Sequence, residues 1–174
     1  MFGAGCVIGT AGSEAKVATA LDAGADQVIC YENADFVEKV MEVTDGRGAD
    51  VILDSISGRV SEQSLECLAK YGRLVHFGNA SGEVGHFRTV DLHSSCRSVL
   101  GFSLGTTRKE RPQLLQHAAD VVLKYLADGR LNIKIGKRYP LEQAMDAHHW
   151  VESRQSVGKV LLTVEQDGGA KLSF

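Results

Sequence analysis

The chain has 174 residues, 44% of them hydrophobic and 24% charged, enough for one domain with a real core and short for two. A net charge of −3 gives no electrostatic case for nucleic acid or an anionic membrane surface. Cys6, Cys30, Cys67 and Cys96 form no CxxC pair, so neither a zinc cluster nor a redox dithiol is suggested, and a reduced, cytoplasmic setting is expected. No signal-like segment opens the sequence, and no apolar run approaches the roughly 20 residues of a membrane span.

Alternation of strand and helix is the main pattern. Residues 7–10 read as a strand, 13–21 as a helix ending at Gly24, 27–31 as a strand and 35–43 as a helix closed by Asp45-Gly46. Residues 49–54 form the third strand, 60–70 a helix and 72–77 the fourth strand. Cys6 and Cys30 are expected inside buried strands, as small hydrophobes. After Gly78 a loop rich in Gly, Ser and Asn covers 79–85, and 98–104 is the next strand. A long helix is expected over 109–127, an extended piece over 131–135, a helix over 141–154, a last strand over 159–164 and a polar tail over 165–174. Apolar strands separated by helices imply crossover units, so a parallel sheet with helices on both faces is expected, in a single α/β domain over residues 1–164.

Open α/β sheets bind ligands beyond the carboxyl ends of their strands. Those ends are Gly9 to Ser13, Tyr31, Asp54-Ser55, Phe77-Gly78-Asn79 and Phe102-Ser103-Leu104, which together favour a nucleotide site. The first is the most informative. Cys6-Val-Ile-Gly-Thr-Ala-Gly-Ser-Glu-Ala-Lys16 reads as strand, glycine-bearing turn and helix start, and a helix N-terminus is an anion site. No carboxylate stands at the strand end to take a ribose 2′-hydroxyl; Thr10, Gly12, Ser13, Lys16 and the Tyr31 hydroxyl suit a 2′-phosphate instead. NADP is therefore expected over NAD.

Other signals weaken on inspection. Gly3-Ala-Gly-Cys-Val-Ile-Gly9 misses the dinucleotide fingerprint by one residue and has no strand before it. His148 and His149 are adjacent, so on a helix they point apart, and a surface or core role is favoured over a metal site. Asp54 is a possible acid or base, but an Asp at a strand end more often caps the following turn. No tyrosine has a lysine four residues on, and Lys159, entering the last strand, is ordinarily a solvated residue.

Taken together, residues 7–16, Gly24-Ala-x-x-Val-Ile-x-Tyr31, Gly48-Ala-Asp-Val-Ile-Leu-Asp-Ser55, Gly72-Arg-Leu-Val-x-Phe-Gly78, Tyr139-Pro-Leu-Glu-Gln-Ala-x-x-Ala-His148 and Gly158-Lys-Val-Leu-Leu162 resemble the medium-chain dehydrogenase/reductase superfamily. The resemblance is to its zinc-free NADPH:quinone oxidoreductases, the zeta-crystallin-like group. It implies a Rossmann-like fold and hydride transfer from NADPH to a quinone or activated alkene, with no metal. It also implies that Gly12, Ser13, Lys16 and Tyr31 hold the 2′-phosphate end, that Phe77, Gly78, Asn79, Ser103 and Leu104 flank the nicotinamide, and that Arg154 reaches the cofactor; Ser55 and Lys159 are carried over with them. A homodimer through the edge strand at 98–104 is likewise implied, and no catalytic side chain is assigned.

The resemblance covers only the C-terminal cofactor-binding part of such enzymes. Their N-terminal catalytic domain has no counterpart here, nor do the first Rossmann strand and helix with the pyrophosphate loop. In the order 3-2-1-4-5-6 that first strand is central, so a gap is expected between the strands at 6–10 and 49–54, with unpaired ladder edges. The chain is expected to be a fragment or truncated product. The alternatives are a non-catalytic nucleotide-binding or dimerisation module, and a piece of the enoyl reductase domain of a polyketide or fatty-acid synthase.

Overall fold

The computed structural model describes residues 3–31 and 35–164. The polar tail expected over 165–174 lies outside the described residues. The chain divides into two compact units between Val121 and Val122.

The first unit holds strands β1 (Ile8–Ala11), β2 (Gln27–Cys30), β3 (Ala49–Asp54), β4 (Leu68–His76) and β5 (Ser98–Gly101), with helices α1 (Glu14–Asp22), α2 (Phe36–Val43), α3 (Arg59–Glu66), α4 (Thr89–Ser95) and α5 (Leu104–Glu110). All pairings are parallel, as expected of crossover units. They fall into two sheets, however. β1 pairs with β2, and β3, β4 and β5 form a three-stranded sheet with β4 central. β1 and β3 share no ladder, and the interruption lies where a central strand was expected to be missing.

Two clusters make the core. Ile29, Val40 and Cys67 are buried with Ile8, Phe36, Val37, Met41, Ala49 and Ile52 packed around them, so this cluster spans both sheets. Leu65, Leu68 and Leu74 form the second, against Ile52, Phe87, Leu92 and Val99. Ile52 belongs to both. Burial pushes the Cys67 thiol up to about 11, the state of an unreactive core cysteine. Asp35 caps α2, its carboxylate accepting from the Val37 N–H at 2.8 Å and the Glu38 N–H at 3.4 Å.

Helices flank the parallel strands as expected, with one face of the three-stranded sheet more open than the other. Register sets Ile52, Leu74 and Val99 in one row, under Leu65 of α3. The alternate row of Leu53, Val75 and Leu100 faces the other way, leaving Leu53 70% and Leu100 45% exposed. Cys6 is exposed and precedes β1, whereas Cys30 is buried as expected. The helix expected over 60–70 stops at Glu66, and β4 begins at Leu68. Residues 69–72 loop out of register, so that Ala49 faces Leu68 but Val51 faces Arg73; the Arg97 guanidinium fastens the loop by donating to the Leu68 and Ala69 carbonyls. The single helix expected over 109–127 is two helices, α5 and α6 (Pro112–Ala127). Proline disfavours a helical residue before it, and Arg111 sits at φ −142°, ψ 57°. Helix α4, within residues not assigned from the sequence, is short and fastened by Arg88 to Asp91 at 2.8 and 2.6 Å.

In the second unit β6 (Ile135–Pro140) and β7 (Lys159–Thr163) pair in parallel across a 3₁₀ turn (Leu141–Gln143) and helix α7 (Ala144–Glu152). The piece expected to be extended over 131–135 leads into β6, which begins at Ile135. Among the described residues of this unit Tyr139 and Ala147 are buried, and the Lys137 ammonium lies 4.6 Å from the rings of both Tyr139 and Trp150.

Leu74 is 0% exposed at the centre of the three-stranded sheet. Leu74→Ala is expected to cost about 2–5 kcal/mol, because the strands on either side restrict collapse of the cavity. A urea titration followed by circular dichroism measures it.

Candidate cofactor site

The turn after β1 is built by its neighbours on β2. The Tyr31 N–H donates to the Ala11 carbonyl at 3.1 Å, continuing the β1–β2 ladder and carrying the phenol back over the turn. A Cβ placed on Gly12 would stand 2.7 Å from the Tyr31 hydroxyl and 3.2 Å from its ring carbon, so only glycine lets the phenol lie there undisturbed. Ser13 is the N-cap of α1 in extended conformation, and its hydroxyl makes no capping hydrogen bond. The first-turn amides of α1 and the hydroxyls of Ser13 and Tyr31 thus face one turn, with Thr10 exposed at its edge and Lys16 one turn along the helix. This donor set fits a phosphate group. Glu14, in the same first turn, opposes it in part.

A second group of residues gathers at the carboxyl ends of β3, β4 and β5. The Phe77 N–H donates to the Asp54 carbonyl at 2.9 Å and the Ala80 N–H to the Ser55 carbonyl at 3.0 Å. A Cβ on Gly78 would lie 2.8 Å from the Ser55 carbonyl oxygen, which explains a glycine there. The Phe102 N–H donates to the His76 carbonyl at 2.9 Å, bringing the β5 end alongside. Ser55, Phe77, Gly78 and Asn79 are therefore one neighbourhood. Ser103 and Leu104 are not strand residues as expected: β5 stops at Gly101, Ser103 caps α5 by accepting from the Thr106 N–H at 3.2 Å, and Leu104 opens that helix, 61% exposed.

Asp54 organises this end. It is 3% exposed and accepts from the Ile56 N–H at 2.8 Å and the Ser57 N–H at 3.2 Å through one oxygen. Its other oxygen takes the Ser61 hydroxyl and lies 3.2 Å from His76 Nδ1. Burial works to raise its carboxyl, but the bonds from Ser61, Ile56, His76 and Ser57 outweigh that and hold it below the usual carboxylate range. The turn-capping reading of Asp54 is thus met. His76 was not singled out from the sequence. Its one signal is a register match with Asp54 across β3 and β4, which only the paired strands reveal.

Arg154 and Lys159 belong to the second unit. Arg154 follows α7 at φ 59°, its N–H donating to the Val151 carbonyl at 3.1 Å, and the Lys159 N–H donates to the Lys134 carbonyl at 2.8 Å. His148 and His149 lie on α7, and among the described residues no group of three or more His, Cys, Asp or Glu could hold a metal. No helix of the described residues is long and apolar enough to cross a membrane.

Parallel strands joined by crossover helices, with their carboxyl ends gathered at β3–β5, define an α/β protein of the Rossmann type. The family is specific. The profile described as zinc-binding dehydrogenase matches residues 23–162, and the chain belongs to that family, within the medium-chain dehydrogenase/reductase superfamily. It is 38% identical over 164 residues to a quinone oxidoreductase of Salmonella typhimurium, covering 90% of this chain and 48% of that protein. It is 34% identical over 163 residues to a 2-haloacrylate reductase of a Burkholderia species, covering 90% and 47%. The crystal structure of the Escherichia coli quinone oxidoreductase complexed with NADPH superposes with a TM-score of 0.79 at 36% identity, over 90% of this chain and 49% of that one. The chain spans about half the length of the relatives it matches.

Asp54→Asn keeps an acceptor for the two backbone N–H groups but weakens the bonds from Ser61 and His76, at an expected cost of about 2 kcal/mol near neutral pH. Because folding lowers the Asp54 pKa, its stabilisation is present above the ordinary carboxylate range and lost as pH falls through the lowered value. Thermal melts of both proteins from pH 7 to pH 3 should therefore converge at the acid end.

Proposed function

We propose that this chain is the cofactor-binding part of an NADPH-dependent reductase whose substrate is a quinone or an activated alkene. The observation that carries the reading is the β1–α1 turn, where an uncapped Ser13, the helix amides and the Tyr31 hydroxyl over Gly12 make a donor set without a strand-end carboxylate. The relatives named as quinone oxidoreductase and 2-haloacrylate reductase, and the NADPH in one solved relative, support it.

In this reading Thr10, Gly12, Ser13, Lys16 and Tyr31 take the adenosine 2′-phosphate. Ser55, Phe77, Gly78, Asn79, Ser103 and Leu104 line the nicotinamide end, and Arg154 and Lys159 serve the same cofactor. When bound, the cofactor supplies the hydride. The residues here bind it, orient it and exclude water, and a side-chain acid or base is not required for that work. The open edge of β5 is where a second copy would extend the sheet into a homodimer, in the cytoplasm.

One observation favours a narrower role: β1 and β3 share no ladder, and Leu53 and Leu100 in the three-stranded sheet are exposed. The narrower reading is a module that binds one end of the nucleotide without turnover.

The test is a fluorescence titration with NADPH and NADH. NADPH should bind more tightly, and Lys16→Ala should weaken NADPH about tenfold while leaving NADH nearly unchanged, the loss of about one charge-assisted contact. Equal binding of the two cofactors by the unaltered chain overturns the phosphate assignment. Gly12→Ala should displace the Tyr31 phenol and weaken NADPH similarly, with little change in melting temperature because a side-chain tip can move aside.

A further inference from the structure

His76 ends β4 beside Asp54 on β3 and Gly101 on β5, so the three side-chain positions form one row on one sheet face. The proton inventory of this row is fixed by its buried member. Backbone N–H groups of Ile56 and Ser57 can only donate, so the Asp54 oxygen they meet is an acceptor; the second oxygen takes the Ser61 hydroxyl and the imidazole. With the carboxyl held ionised, the hydrogen between it and the ring sits on Nδ1 of His76. A carboxylate that fixes Nδ1–H aims the other ring nitrogen, and in neutral imidazole that nitrogen is an acceptor.

Nε2 of His76 has no hydrogen-bond partner among the described residues. The His76 side chain is 37% exposed. The next place in the row is bare: a Cβ on Gly101 would meet nothing within 4 Å. An oriented acceptor therefore stands beside open space at the carboxyl rim, one residue before Phe77-Gly78-Asn79. Ordering a partly exposed imidazole through a buried carboxylate that already has three other donors is more than the sheet needs for its pairing.

We propose that His76 is a cofactor-contacting residue whose Nε2 accepts a hydrogen bond from the carboxamide N–H of a nicotinamide entering the space beside Gly101, with Asp54 and Ser61 as positioning residues. The proposal rests on the dinucleotide reading above. It assigns the row a role in selecting the redox end of the cofactor, separate from the phosphate turn at β1.

The experiment uses the full 174-residue chain and calorimetric titration at pH 8, where free imidazole is neutral. The ligands are NADP⁺, its 3-acetylpyridine analogue, which lacks the carboxamide N–H, and 2′,5′-ADP, which lacks the nicotinamide. The unaltered chain should prefer NADP⁺ over the analogue by about tenfold, the worth of one hydrogen bond. His76→Asn retains a donor for Asp54 and has no atom at the Nε2 position; it should bind the two dinucleotides alike while 2′,5′-ADP is unchanged. His76→Gln can place an amide oxygen near the Nε2 position and should keep part of the preference. If His76→Asn retains the preference, or if the unaltered chain shows none, the assignment is overturned although the dinucleotide reading stands. If 2′,5′-ADP does not bind the unaltered chain, the dinucleotide reading falls and this inference with it. Should His76→Asn not fold by circular dichroism, His76→Gln decides: a preference kept supports the contact, and a preference abolished in a folded variant overturns it.

Discussion

Strand β3 is bonded on one side only, yet both halves of the first unit depend on it. Ile52 at its middle is the residue common to the two core clusters, and through the first of these it ties the β1–β2 pair to the three-stranded sheet without a hydrogen bond between them. Asp54 at its end holds the turn into α3, the hydroxyl of Ser61 and the imidazole of His76. The contact between the two sheets is therefore made by side-chain packing, which is non-directional, rather than by a ladder, which would fix register. The rim at β3–β5 is instead pinned by directional bonds to a buried carboxylate.

The same strand explains what is left open. Val51 and Leu53 are the residues expected of a strand covered on both faces, yet they are 53% and 70% exposed. Covering apolar surface contributes roughly 25 cal/mol per Å², so this face and the unpaired edges of β1 and β3 favour any element that adds a strand and a helix there. Val51 and Leu53, on one face of β3, carry no polar alternation that would suit that face to water.

Much of this was legible in the residues. Gly48-Ala-Asp-Val-Ile-Leu-Asp gave the bounds of β3 without error, because an unbroken branched run between a glycine and an aspartate has few other readings. The turn at Gly12-Ser13 could be read as strand-to-helix for the same reason, and an interruption between β1 and β3 was expected. What could not be read was set by tertiary contact. The early end of α3 depends on Leu68 and Ala69 being buried and on Arg97, distant in sequence, bonding their carbonyls. The short β5 depends on Ser103 spending its hydroxyl on a helix cap. The row of Asp54, His76 and Gly101 exists only through register, and register is invisible to composition and periodicity alike.

The two ends of the candidate site solve different physical problems. At the β1 turn the donors are amides, hydroxyls and an ammonium, with an acid in the same helix turn and no second cation on the strand, so charge attraction alone is modest. In the proposed reading, discrimination there comes from what is absent: with no strand-end carboxylate, Glu14 of the first helix turn is the acid a 2′-phosphate would meet, and a 2′-hydroxyl lacks the acceptor it would use. At the β3–β5 rim the donors and acceptors are fixed by a buried ion, and mobility is restricted by the close approach of Gly78 to Ser55. In the proposed reading the first end would act on the phosphate fragment of the ligand alone. The second selects by direction, and direction has value only when the reactive end of the ligand is held in place. With β1 and β3 sharing no ladder, the two ends are coupled only through side-chain packing at Ile52, so in the proposed reading they are separate points of recognition.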